Sequence, residues 1–292
     1  MRTCLFIAAT ITALTASTAI AQTFETVDKS PAGDRFEKSA NVDILGIQPG
    51  DTIEDVKSKL KAEFPDKGEP EETRLKGSVS TPEGARVEME FVNEIALGGL
   101  FVNFASEVYD NRALAVHRIL HFDKFTTAEI FRKQVADKYG PPSYVDEEGD
   151  FLNLYYFYAG GRVLSEDEAP IPKEGCNRIN EGPLCDHVEW QKSSETGKKL
   201  EIALKPCAAF RIGGWKQIGK YQAGERISVI KDDQCDGIML VSMNTYQGEL
   251  KAADFTLVDV KRAYGHQMAL DAAIEAKLKQ GVDMDKVAKP RL

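Results

Sequence analysis

The chain has 292 residues, 42% hydrophobic and 28% charged, with 23 Gly and 12 Pro, which excludes disordered and fibrous classes. Its 37 Lys and Arg against 46 Asp and Glu leave a net charge of −9. That sign argues against nucleic acid and anionic membrane surfaces as partners, because both are held by basic residues. Roughly 150 residues per domain gives an expectation of about two domains.

Arg2 precedes an uncharged, largely apolar stretch over residues 4–20, and Ala19-Ile20-Ala21 is the small-x-small pattern that signal peptidase reads. Residues 1–21 are therefore expected to be a signal peptide cleaved before Gln22, and the mature protein to be periplasmic or secreted. Elsewhere no run approaches the roughly 20 apolar residues that span a bilayer. The mature chain keeps Cys176, Cys185, Cys207 and Cys235. An even count in an oxidising compartment predicts two disulfides, with three pairings open. The sequential pairing is expected, because Cys176 to Cys185 closes a short Gly/Pro-containing loop. Loop entropy is worth roughly 2.7 kcal/mol there and about 3.6 kcal/mol for Cys207 to Cys235. A zinc site of Cys176, Cys185 and His187 fits no common ligand spacing, so no metal and no cofactor is expected.

Residues 22–42 are polar and read as a flexible lead-in. Thr52 with Asp55 forms a variant capping box, and Ile53, Val56, Leu60 and Phe64 recur at helical spacing until Pro65 stops the helix. Val87, Met89 and Phe91 then alternate with Glu88 and Glu90, the pattern of a half-buried strand. Its hairpin partner is expected over residues 75–80, and a second hairpin over 100–108 and 113–122. The pattern restarts at Thr126 and Glu129, a full capping box ahead of Ile130, Phe131, Val135 and Tyr139, with Gly140 at the C-terminal end. Strands are expected over 151–158, 187–191, 199–204, 226–231 and 237–246. A last helix is expected from Thr256, with Gly265 marking a kink.

The two helices align at an offset of 75 residues, pairing Val56 with Phe131 and Leu60 with Val135. The fold class read from this is α+β: two tandem units, each one helix plus an antiparallel sheet of about four strands, then a C-terminal helix. The boundaries are 43–125 for unit 1, 126–250 for unit 2 with both disulfides, and 251–292 for the helix and tail. Gly50-x-Thr52-x-x-x-Val56, closing in a Phe/Tyr-(Gly)-Pro ending, resembles the repeat of the β-lactamase-inhibitor-protein-like fold and is similar to BamE-like outer-membrane domains. The resemblance covers about 30 residues of the chain and departs from the lipoproteins in having no lipid-accepting Cys after the signal. It implies non-enzymatic protein binding in an extracytoplasmic space, often through an exposed sheet face, and carries over no contact residue.

Catalytic devices are scarce in the sequence. His117 and His121 have the metal-pair spacing of a helix but lie in an alternating run, where four residues span roughly 13 Å. Ser58-x-x-Lys61 and Ser228-x-x-Lys231 match a serine–lysine pattern without its companion motifs. Asp232-x-Gln234-x-Asp236-Gly237 begins like a calcium loop, but Met243 stands at its twelfth position. Asp146-Glu147-Glu148 and Glu166-Asp167-Glu168 read as solvated acidic loops.

The segment from Phe151 to Tyr158 is apolar on both sides. Phe151, Tyr155 and Phe157 line one side, Leu152, Leu154, Tyr156 and Tyr158 the other, so something must cover the second side. The protein's own C-terminal helix, or its sister unit, is one cover. A partner is the other, with Phe151, Tyr155, Phe157 and Trp215 as its binding residues. The reading is an exported, non-enzymatic module that binds another exported or envelope protein. The runners-up are a small-ligand binder with a pocket between the sheet and the C-terminal helix, and a hydrolase using His117 or His187 as base.

Overall fold

The computed structural model describes residues 42–80, 86–168, 188–192, 200–204, 227–229 and 236–281. The expected signal peptide, the lead-in up to residue 41, all five cysteines with the two expected disulfides, His187 and Trp215 lie outside the described residues.

Helix α1 (Ile53–Glu63) starts where the capping chemistry places it. Thr52 Oγ1 accepts from the Asp55 amide at 3.1 Å, and Asp55 Oδ2 accepts from the Thr52 amide at 3.2 Å. Val56 and Leu60 are fully buried beneath it. Phe64 ends the helix ahead of a short 3₁₀ turn, Pro65–Lys67. A meander follows: β1 (Glu71–Ser80), β2 (Arg86–Leu97), β3 (Leu100–Phe104) and β4 (Ala113–His121). The β2–β3 turn is Gly98-Gly99, with φ of 61° and 81°, the twin left-handed conformation that suits a two-residue hairpin. A Cβ on Gly98 would lie 2.6 Å from the Phe64 ring, so this hairpin tip is also where the end of α1 packs.

Helix α2 (Ala128–Tyr139) is capped by Thr127, one residue later than the Thr126 box. Thr127 Oγ1 accepts from the Ile130 amide at 3.3 Å, while the Thr126 carbonyl accepts from the Leu250 amide. The N-caps Thr52 and Thr127 therefore keep the 75-residue offset. Next come β5 (Tyr144–Glu148), β6 (Phe151–Ala159) and a short β7 (Arg162–Val163). The run Asp146-Glu147-Glu148 is thus an edge strand rather than a loop; charged side chains on such a strand discourage further pairing.

The strands expected over 187–191, 199–204 and 226–231 form as β8 (Val188–Lys192), β9 (Leu200–Leu204) and β10 (Ile227–Val229). They do not join the main sheet. Among the described residues they make a separate three-stranded sheet, β9 antiparallel to β8 and parallel to β10.

β11 (Gly237–Tyr246) and β12 (Glu249–Asp259) form a hairpin that leads into α3 (Val260–Gly281). The expected helix start at Thr256 is therefore corrected: residues 251–259 are strand. β12 is hydrogen-bonded on both sides, to β11 and to β4, and that pairing overrides a local capping pattern. The cap is Asp259, whose Oδ1 accepts from the Arg262 amide at 2.8 Å.

All strands of the main sheet pair antiparallel, in the order β1-β2-β3-β4-β12-β11-β6-β5, with β7 on β6. One face of this nine-stranded sheet packs against α1, α2 and the chain around Ile44 and Ile47, burying Ile95, Val102, Leu154, Tyr156, Val241 and Leu257 in one core. The other face carries α3 over two smaller clusters. The structure is an antiparallel sheet dressed by a few helices, dominated by strand. Among the described residues no helix is long and apolar enough to cross a membrane.

Candidate functional site

The ladder registers allow the α3 side of the sheet to be read as rows running across its strands. One row is Phe157, Ile238, Val258 and Ala115, from β6, β11, β12 and β4. It is buried with Val260 and Ala263 of α3 and with Leu164. The next is Tyr144, Tyr155, Leu240, Thr256, His117 and Phe101. A third runs Asp146, Asn153, Ser242, Asp254 and Ile119, every member half-buried. The outermost is Glu148, Phe151, Asn244, Ala252 and His121.

The sequence-derived binding residues divide across these rows. Tyr155 is 7% exposed and Phe157 1%; their rings stack at 6.3 Å inside the packing made by the first turn of α3. Phe151 is 51% exposed. The cover of the inner aromatics is thus this protein's own helix, and Phe151 alone of the described three reaches solvent. Tyr246, 59% exposed and in phase with Asn244 on β11, adds a second ring at the same end.

His117 lies over the Phe101 ring at 5.7 Å, and His121 is exposed two rows further out. Among the described residues no three His, Cys, Asp or Glu side chains converge to hold a metal. Ser58 and Lys61 lie exposed on α1, where Lys61 pairs with Glu69. Asp236, read as part of a calcium-like loop, is buried and spent. Its Oδ2 accepts from the Gly160 amide at 2.8 Å, its Oδ1 meets Lys261 Nζ at 2.5 Å, and its carbonyl accepts from the Val260 amide. Glu168 is held by Arg162 and Ser165, contacts that pull its carboxyl down to about 2.

Two buried polar clusters, not foreseen in the sequence, tie α3 to the loop between β3 and β4. His266 is 3% exposed; its Nε2 accepts from the Ser106 amide at 3.0 Å and lies 2.9 Å from Ser106 Oγ. That assigns the ring proton to Nδ1. Burial pulls the imidazole down to about 4, so it is neutral near pH 7. Ser106 is itself buried, and its amide competes for the same nitrogen, an arrangement that fastens a loop rather than activates a nucleophile. One turn earlier, Arg262 is 1% exposed between Asp110 and the helix cap Asp259.

On the opposite face, a cavity of about 280 Å³ lies between α2 and the seam where β4 pairs with β12. Arg118, Gln134, Lys138 and Tyr139 contribute its polar groups. It is not the pocket expected beneath the C-terminal helix. A signal for it was in the sequence: Val116, Arg118 and Leu120 share a face of β4, and an arginine between apolar residues two positions away on each side is out of pattern. Compared with family models, curated proteins and solved structures, the chain matches none of them.

Proposed function

We propose that this chain is an exported, non-enzymatic protein-binding module of the bacterial periplasm or envelope, built of two tandem helix-plus-sheet units. Strand order supports the tandem reading. After α1 the strands lie β1-β2-β3-β4; after α2 they lie β5-β6-β11-β12, with β7 to β10 inserted between the second and third. The last strands of the two units, β4 and β12, pair edge to edge. A helix followed by four strands is the order for which the sequence resembles β-lactamase-inhibitor-protein-like repeats.

The observation that carries the binding reading is the outer half of the α3-side face. The Asp146–Asn153–Ser242–Asp254–Ile119 row offers hydrogen-bonding groups and two carboxylates, bordered by exposed Phe151 and Tyr246. A partner matching it is another exported protein that presents Lys or Arg around an apolar knob, in keeping with the net charge of −9 on this chain. Placing a photo-crosslinking residue at Asn153 or Ser242 in the exporting cell tests this. A discrete adduct is expected from both positions and none from Lys133 on α2, and raising the salt concentration should weaken capture. Capture that survives Phe151→Ala combined with Asp254→Asn, or that arises equally from Lys133, would overturn the assignment.

A further inference from the structure

The 280 Å³ cavity on the α2 face goes beyond the protein-binding reading. Its walls are apolar for the most part: Ile44 from the chain before α1, Leu120 from β4, Phe131 and Val135 from α2, and Phe255 from β12. Into this lining the fold places Arg118, paired across the ladders with Phe255 on one side and Leu100 on the other. Among the described residues no hydrogen bond or ion pair reaches its guanidinium; Glu63 and Tyr139 act on it only at longer range. A half-buried cation without a partner is costly, and a fold keeps one where something else completes it.

The neighbouring polar groups are already engaged. Lys138 Nζ pairs with Asp43 Oδ1 at 3.2 Å and sits 4.9 Å from the centre of the Tyr139 ring. Tyr139 Oη donates to the Asp43 carbonyl at 2.9 Å. The donors left for a ligand are the fork of Arg118 and the amide of Gln134.

We infer that this cavity binds a small amphipathic monocarboxylate, its carboxylate received by Arg118 and its apolar body packed against Phe131, Val135 and Phe255. The planar guanidinium matches a carboxylate in bidentate geometry. A single charge is all the site can satisfy, because Lys138 is spent on Asp43. The volume is at the lower limit of the roughly 300 Å³ typical of small-ligand sites, which restricts the body to one ring or a short alkyl chain. The ligand would contact β4 of the first half and α2 and β12 of the second, and so fasten the seam between them.

Titration calorimetry on the purified mature protein, with octanoate as probe and octanol and inorganic phosphate as controls, tests this. Octanoate is expected to bind one to one and to raise the melting temperature. Octanol should bind at least tenfold more weakly, and phosphate not measurably. Arg118→Met should reduce octanoate to the level of octanol. Arg118→Lys, which keeps the charge and loses the fork, should weaken octanoate several-fold, and serves as the deciding variant should the methionine protein fail to fold. Equal binding of octanoate and octanol, wild-type affinity in either variant, or no octanoate binding at millimolar concentration would overturn the inference.

Discussion

His266 shows how one buried side chain couples this fold to pH. Its imidazole is pulled from 6.5 to about 4 by burial, so the unfolded chain binds the extra proton first as pH falls. Its contribution is complete above about pH 6.5, is lost as pH falls towards 4, and changes no further below that. The loss amounts to about 3 kcal/mol at most. Urea titrations between pH 7.5 and 4 are expected to show this slope, and His266→Gln, which keeps an acceptor for the Ser106 amide, should remove it. A slope unchanged in the variant would assign the acid loss to carboxylates instead. A second contrast lies within one strand of the sheet. Tyr155→Ala should cost about 3 kcal/mol or more, as truncation of a buried ring does. Phe151→Ala, four residues away and half-exposed, should stay within about 1 kcal/mol. Equal losses in urea denaturation would contradict the assignment of Tyr155 to the core beneath α3.

At the scale of elements, α3 is the instructive case. Gly265 reads from the sequence as a kink, and it lies within α3, which extends from Val260 to Gly281. What the glycine provides is room: a Cβ there would sit 2.5 Å from the Tyr109 hydroxyl and 2.8 Å from the ring carbon that bears it. A glycine-to-alanine change inside a helix ordinarily stabilises by about 1 kcal/mol. Gly265→Ala should instead destabilise, because the Tyr109 ring is buried beside His266 and has nowhere to retreat. Tyr109→Phe should be neutral or stabilising, since the hydroxyl is buried without a hydrogen-bond partner. Combining the two should recover part of the Gly265→Ala loss, a coupling readable in a double-mutant cycle. Additive losses would mean that the Tyr109 hydroxyl is not what the new methyl group meets.

Across the whole molecule, the seam between β4 and β12 makes one sheet of what the chain lays down in two stretches. Seven ladder pairs join residues 115–121 to residues 252–258, and Phe255 from the second stretch packs against Phe131 and Tyr139 of α2. Unfolding of the protein is therefore expected to be a single cooperative transition in its main sheet. A fragment of residues 42–125 exposes the whole edge of β4 and loses Phe131, Val135 and Phe255, which line the cavity with Leu120. It should show no cooperative urea transition and should self-associate. A fragment that unfolds cooperatively as a monomer would establish the first half as an independent domain.

The local features were legible because local chemistry determines them. The Thr52 cap, the apolar faces of both helices, the alternation of β2 and the limits of β11 follow from side chains within a few residues of one another. Long-range pairing decided the rest. Residues 251–259 carry a cap-like Thr and Asp, but two neighbouring strands satisfy their backbone groups better than a helix would. The acidic run at residues 146–148 is strand because β6 lies beside it. Three of the expected strands left the main sheet for one of their own, a choice that no periodicity encodes. The candidate sites follow the same division. Aromatic enrichment in β6 is visible in the sequence, but which of its rings is covered depends on where α3 crosses the sheet. Arg118 is visible as an anomaly in β4; that it lines a cavity depends on α2 and β12, brought to it only by the tertiary fold.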